Sequence, residues 1–273
     1  MRVAMRRAAH QVFDNPKVLE DPIALAIIGP EAAAKLEAEE RRYGSRIGRS
    51  IRAFMAVRSR FAEDELARAV ARGASQYVIL GAGLDTFAYR NPHGSALRVF
   101  EVDYPATQEW KRRKLAKAGI AAPPWVTYAP VDFERQTLSE GLRSAGFDPA
   151  QISFFSWLGV TMYLTAEAVM ATFGFIASTP PGGGVAFDYV VPRESLTFVG
   201  RLALAAISNR VAAAGEPFRT FFEPRALVER MKALGFRRVE DLGSEEINAR
   251  YFRDRADGLR VGGSLGRLVS AEL

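Results

Sequence analysis

The chain has 273 residues, 48% hydrophobic and 25% charged, an ordinary composition for one large globular domain. It contains no cysteine, which excludes disulfides, zinc–thiolate sites, iron–sulfur clusters and a thiol nucleophile. The formal net charge of +6 raises the question of an anionic partner, although the basic residues are interleaved with 31 acids.

The first segment, MRVAMRRAAHQVFDNP, is basic, and His10, Gln11 and Asp14 interrupt any apolar run, so it does not read as a signal peptide. No window offers 18 uninterrupted apolar residues, so the expectation is a cytoplasmic protein without a membrane partner. Residues 1–50 read as helical pieces broken by Pro16, Pro22 and the Gly29-Pro30 pair, forming an N-terminal cap. From Arg49 a longer helix is predicted, with Ile51, Phe54, Phe61, Leu66 and Val70 near helical spacing and Gly73 as its stop.

The rhythm then changes. QYVIL (76–80), ALRVFEVD (96–103), WVTYAPVD (125–132), ISFFSWLGV (152–160) and GVAFDYVV (184–191) read as buried strands. Helices separate them: one opened by Pro105 and closed by Gly119, one over 138–145 and one over 165–178. Within the first of these, Lys111-Arg112-Arg113-Lys114 is expected to be a solvated face rather than a phosphate patch, so no nucleic-acid partner is expected. Strands alternating with helices imply a parallel sheet with right-handed crossovers. Residues 193–215 break the alternation as a helical insertion, with Leu196, Val199, Leu202, Ala203, Ala206 and Ile207 expected on one buried side. This insertion and the first 50 residues together are expected to roof an acceptor pocket. Over 224–273 a short helix, a sixth strand (RRVEDLG) and a seventh (264–273) follow. The predicted architecture is α/β, a single domain over 1–273 whose cofactor-binding core is 74–192, with strand order 3-2-1-4-5-7-6.

The local signal for chemistry is YVILGAGLD, where a strand runs into Gly81-Ala82-Gly83. Such a turn lets backbone approach a ligand closely. The next strand ends in Glu101 and Asp103, either of which could accept hydrogen bonds from ribose hydroxyls. Asp132 ends the third strand at the same edge. Thr86 stands where a dinucleotide fingerprint has its third glycine, and Asn91-Pro92 cuts the following helix short. A pyrophosphate wants a full helix N-terminus there. S-adenosyl-L-methionine has no phosphate and is therefore favoured over NAD(P), with an NAD(P)-dependent oxidoreductase as the alternative. A cofactor-binding protein without catalysis is a further one. No metal site is expected.

Five segments, VRSRFAEDEL (57–66), VILGAGLDTFAYR (78–90), VFEVDYP (99–105), PVDFE (130–134) and SWLGVTMYL (156–164), resemble the leucine carboxyl methyltransferase-like family. The resemblance implies a class I methyltransferase Rossmann-like sheet and S-adenosyl-L-methionine as cofactor. It implies that Arg58 pairs with the methionine carboxylate and that Gly81, Ala82 and Gly83 line the cofactor. Asp103, with Tyr104 beside it, would hold the ribose, and Asp132 and Phe133 the adenine. Leu158 replaces a glutamate that many relatives carry, which removes a polar contact. The implied reaction is O-methylation of a carboxylate or acidic hydroxyl on a small-molecule acceptor, for which the positive charge suits an anion. Tyr163 and RYFRDR (250–255) are candidate gate residues.

Overall fold

Five apolar runs pair side by side as the centre of a seven-stranded sheet in the computed structural model, which describes residues 1–132, 135–213, 215 and 217–273. They are β1 (Gln76–Leu80), β2 (Arg98–Asp103), β3 (Val126–Pro130), β4 (Ser153–Trp157) and β5 (Gly184–Val190), all parallel. The strands β6 (Arg238–Leu242) and β7 (Gly266–Glu272) complete it, and the order is β3-β2-β1-β4-β5-β7-β6, as predicted. β7 runs antiparallel to both neighbours, with Leu268 opposite Asp188 on one side and Leu242 on the other. Strand side chains alternate between two cores. Tyr77 and Ile79 enter one hydrophobic cluster, while Val78 and Leu80 enter the other.

Helices cover both faces. α1 (Arg2–Phe13), α2 (Ala24–Ile28), α3 (Pro30–Ala38) and α4 (Glu40–Gly44) lead into α5 (Arg46–Ala71). α5 starts three residues earlier than its apolar spacing suggests, because the Ser45 hydroxyl accepts the Gly48 N–H at 3.0 Å and caps it. α6 (Pro105–Lys117), α7 (Leu138–Ser144) and α8 (Ala166–Ala177) are the crossovers, followed by α9 (Phe198–Ala212), α10 (Pro224–Ala233) and α11 (Ser244–Tyr251).

Three expectations need correction. After β1 the chain forms only a 3₁₀ turn at Phe87–Tyr89, because the Asp85 carboxylate accepts the Phe87 N–H and Asn91-Pro92 follows at once. α11, begun where the Glu246 side chain accepts the Gly243 N–H, has no counterpart among the predicted elements. The insertion does not bury one continuous side. Leu196 and Leu204 are buried, but Phe198 is 74% and Leu202 58% exposed, Ala203 and Ala206 face solvent, and Ile207 is half-buried. The Val199 side chain lies outside the described residues. Leu196 precedes the helix in extended backbone, so it does not share the helical spacing assumed for it.

The N-terminal helices are locked by buried charge. Arg52 of α5 donates to both Asp14 carboxylate oxygens at 2.6 and 2.7 Å, and His10 Nδ1 donates to Asp14 at 2.7 Å. Burial works against this carboxylate, but the bonds from Arg52 and His10 outweigh it and hold its pKa below the usual range. His10 Nε2 accepts the Val18 and Leu19 N–H groups at 3.0 and 3.2 Å, so the ring is fully spent on structure.

Candidate active site

The glycine turn is stitched to the end of β2. The Gly81 and Ala82 N–H groups both donate to the Val102 carbonyl, at 2.9 and 3.0 Å. The Gly83 N–H donates to Asp103 Oδ2 at 2.6 Å, and the Tyr104 N–H to Oδ1 at 2.7 Å. A carboxylate offers about four lone-pair sites, so both oxygens keep capacity for further donors. Gly81 has φ +68°, and a Cβ there would stand 2.4 Å from Val160 Cγ2. Gly81→Ala combines left-handed strain with that clash, each worth roughly 1–3 kcal/mol. Its expected outcome is at least a tenfold loss of cofactor affinity by calorimetry, and wild-type affinity would remove the turn from the site. Gly83 has φ +46°, and a Cβ there would meet nothing nearer than the Gly81 carbonyl at 3.9 Å. The space on the Gly83 side of the turn is therefore open.

Only one of the two β2 carboxylates faces this edge. Glu101 is fully buried, 2.8 Å from Lys111 Nζ and 3.5 Å from the Tyr89 hydroxyl. Burial pushes its carboxyl above the usual range, although Lys111 opposes the shift. This corrects the reading of 111–114 as a solvated face: Lys111 is 1% exposed and Lys114 half-buried, and only Arg112 and Arg113 stay outside. A lysine in water cannot be told by spacing from one that neutralises a buried acid. Tyr104 is 54% exposed at the start of α6. Asp132 lies just past β3, half-buried, with Arg135 Nε 3.5 Å from its carboxylate. Phe133 lies outside the described residues. Leu158 is half-buried at the end of β4, packed on the α5 side.

Arg58 has a partner that the sequence did not reveal. Its Nη1 lies 3.0 Å from Asp188 Oδ2 in mid-β5, and both side chains are buried. Asp188 also accepts the Gly159 N–H, and its carbonyl accepts the Thr161 hydroxyl at 2.7 Å. A Cβ at Gly159 would be 2.8 Å from Arg58 Nη1, so glycine lets the guanidinium lie against the backbone after β4. The planar fork can serve a second carboxylate while keeping the first. The signal for Asp188 was an acid inside the apolar run GVAFDYVV, since such residues are almost never fully buried unpaired.

The N-terminus belongs to the glycine turn. Arg7 of α1 is buried, donates to the Leu84 carbonyl at 2.6 Å, and lies 3.1 Å from Asp21 and 3.6 Å from Asp85. The Thr86 hydroxyl donates to Asp21 at 2.7 Å, and Arg90 joins Asp21 to Glu63. α1 thus braces the glycine turn by packing against Leu84, whereas α9 packs through Leu204 into the cluster that Val78 and Leu80 enter. Within 250–255, expected to gate the site, two side chains are engaged with α5 and β6. Arg250 pairs with Glu65 and Glu240, and the Tyr251 hydroxyl donates to Asp64, which fastens α11 to α5. Tyr163 packs against Phe218 at 5.5 Å between ring centres.

The chain is similar to several known proteins. It is 31% identical to YktD of Bacillus subtilis (strain 168), named as a candidate S-adenosyl-L-methionine-dependent methyltransferase, over 94% of this chain and 91% of the relative. A Mycolicibacterium vanbaalenii protein with the same kind of name is 38% identical over 50% of this chain and 44% of its own. In fold, a DUF574 family protein from Streptomyces avermitilis superposes with TM-score 0.60 at 14% identity, over 100% of this chain and 97% of the other. A crystal structure named for a methyltransferase, from Thermobifida fusca, gives 0.59 at 18% identity over 99% and 93%. The sequence model described as leucine carboxyl methyltransferase matches residues 1–177, and the chain belongs to that family.

Proposed function

We propose that this chain catalyses O-methylation of a carboxylate or acidic hydroxyl on a small, anionic molecule. The methyl donor is S-adenosyl-L-methionine, which when bound supplies an electrophilic methyl group on a sulfonium. The observation that carries the reading is Asp103: fixed by two backbone N–H groups at the open lip of the glycine turn, it presents acceptor oxygens where a ribose would lie. Gly81, Ala82 and Gly83 would flank that ribose, Asp132 the adenine, and Arg58, steadied by Asp188, the methionine carboxylate. The 3₁₀ turn after β1 leaves no α-helix there to meet a pyrophosphate, which disfavours NAD(P).

Acceptor chemistry follows from the proton balance. A carboxylate is ionised at neutral pH and needs no base, whereas an ordinary hydroxyl does. Of the two histidines, His10 is spent on Asp14, Val18 and Leu19, and His93 lies on the connection entering β2, at the amino end of that strand rather than its carboxyl end. The residues then need only align the acceptor oxygen and exclude water. The test is calorimetry with S-adenosyl-L-methionine and NADH separately, then transfer of a labelled methyl group to a set of small carboxylic acids and phenols. Binding of the first alone, and base-labile methyl esters among the products, is the expected result. Tight NADH binding, or products methylated only on nitrogen or carbon, would overturn it.

A further inference from the structure

A cavity of about 530 Å³ opens between the first turns of α5 and the loop that precedes β7. Its walls carry Arg46, Arg49, Ser50 and Arg260 with the backbone of Gly258 and Gly262, and among the described residues no acid lines it. Arg46 and Arg260 make no ion pair with any described residue, and Arg49 donates to the Asp257 carbonyl rather than to a carboxylate. The two acids that line the adjoining hollow, Asp14 and Asp257, are already engaged. Asp257 accepts both Arg255 nitrogens, at 2.6 and 2.9 Å, and the Leu259 N–H at 3.0 Å, while Asp14 is held by Arg52 and His10. The walls are pinned together, since the Gly262 N–H donates to the Ser50 hydroxyl at 2.8 Å. Three guanidinium groups around one hollow repel one another, and an anion entering it relieves that repulsion.

The position ties this hollow to the site. Gly266, just beyond the loop, pairs with Val190 at the carboxyl end of β5 and lies against the Phe54 ring. The loop therefore stands over the edge at which Arg58 meets Asp188. Arg46 to Ser50 precede Arg58 on α5 by eight to twelve residues, roughly 12–18 Å at 1.5 Å per residue.

We infer that this cavity binds a carboxylate or phosphate group of the methyl acceptor. The enzyme then selects elongated acceptors, in which one end docks among the arginines and the other reaches towards the edge beside Arg58. This inference rests on the methyltransferase reading and adds the substrate class. The test is calorimetry of inorganic phosphate and, separately, butyrate against the wild type, Arg46→Ala/Arg260→Ala and a control of equal charge change, Arg237→Ala/Arg238→Ala, whose residues are exposed on and beside β6. Saturable binding of at least one anion, weakened tenfold or more in the cavity variant and kept in the control, is expected. Which anion binds distinguishes a phosphate-bearing from a carboxylate-bearing acceptor. Absence of saturable binding to the wild type, or equal loss in both double variants, would overturn the inference. Arg260→Ala alone, in a loop outside any helix, gives the same answer should the double variant fold poorly. S-adenosyl-L-methionine titrated into each protein is read separately: failure to bind the wild type would sink the methyltransferase reading and leave the anion result standing.

Discussion

Arg7→Ala is expected to lower the unfolding midpoint by roughly 10 °C and to weaken S-adenosyl-L-methionine binding together with it. Removing one partner of a buried ion pair costs about 3–5 kcal/mol, because the remaining charge is left uncompensated, and each kcal/mol is about 2–4 °C for a chain near this size. The lower half of that range applies, since Asp21 keeps Thr86 and Arg90. The binding effect has its own cause. The Leu84 carbonyl loses its donor, and Leu84 directly follows Gly83 in the turn. Burial alone would raise the Asp85 pKa, but Arg7, Lys111 and Arg90 outweigh it, with Arg7 foremost among them. Arg7→Lys keeps a charge but not the fork that reaches a carbonyl and two carboxylates, so it should fall between wild type and alanine. Thermal melts with and without cofactor check both parts. An unchanged midpoint would show that the buried network carries no stability, and a lower midpoint with wild-type affinity would separate α1 from the cofactor turn.

Asp103→Ala is expected to weaken S-adenosyl-L-methionine binding by ten- to a hundredfold or more. Hydrogen bonds to a charged acceptor contribute roughly 1.5–3 kcal/mol each, and 1.4 kcal/mol is tenfold in affinity. The same carboxylate also holds the Gly83 and Tyr104 N–H groups, so the loss includes some order in the turn itself. Glu101→Ala should differ: little direct effect on affinity, but a stability cost from stranding Lys111, which is 1% exposed. Equal affinities for wild type and Asp103→Ala in a folded protein would end the ribose assignment.

What the sequence made legible was the part governed by period and punctuation. QYVIL matches β1 residue for residue, and the seven-strand order follows from five alternating units and a terminal pair. The glycine turn was legible because few residues other than glycine tolerate φ +68° beside Val160. What stayed hidden was long-range charge pairing. Arg7 with Leu84, Lys111 with Glu101 and Arg58 with Asp188 join residues whose spacing along the chain carries no signal. Each of these cations reads locally as an ordinary helix-surface residue. α11 was missed for a related reason: a glycine opens it, and its cap comes from Glu246 reaching back to the backbone. The apolar face expected over 193–215 does not form, because Leu196 lies in extended backbone before the helix begins and is out of step with its spacing.

The position of β7 between β5 and β6 has a consequence for how the chain folds as it is made. β6 pairs with β7 alone, so a growing chain displays β6 with both edges unpaired until a later segment slides in beside it. The ladder from Val190 to Gly266 must also close over about 76 residues of intervening chain, at an entropic cost that grows only slowly with length but is met before any pairing rewards it. The pairings among β1–β5 need no residue beyond Val190, whereas β6 gains a strand partner only once β7 is present. An interruption of synthesis before β7 leaves both the flank of β5 and the whole of β6 as open strand edges, the kind of surface on which chains pair with one another.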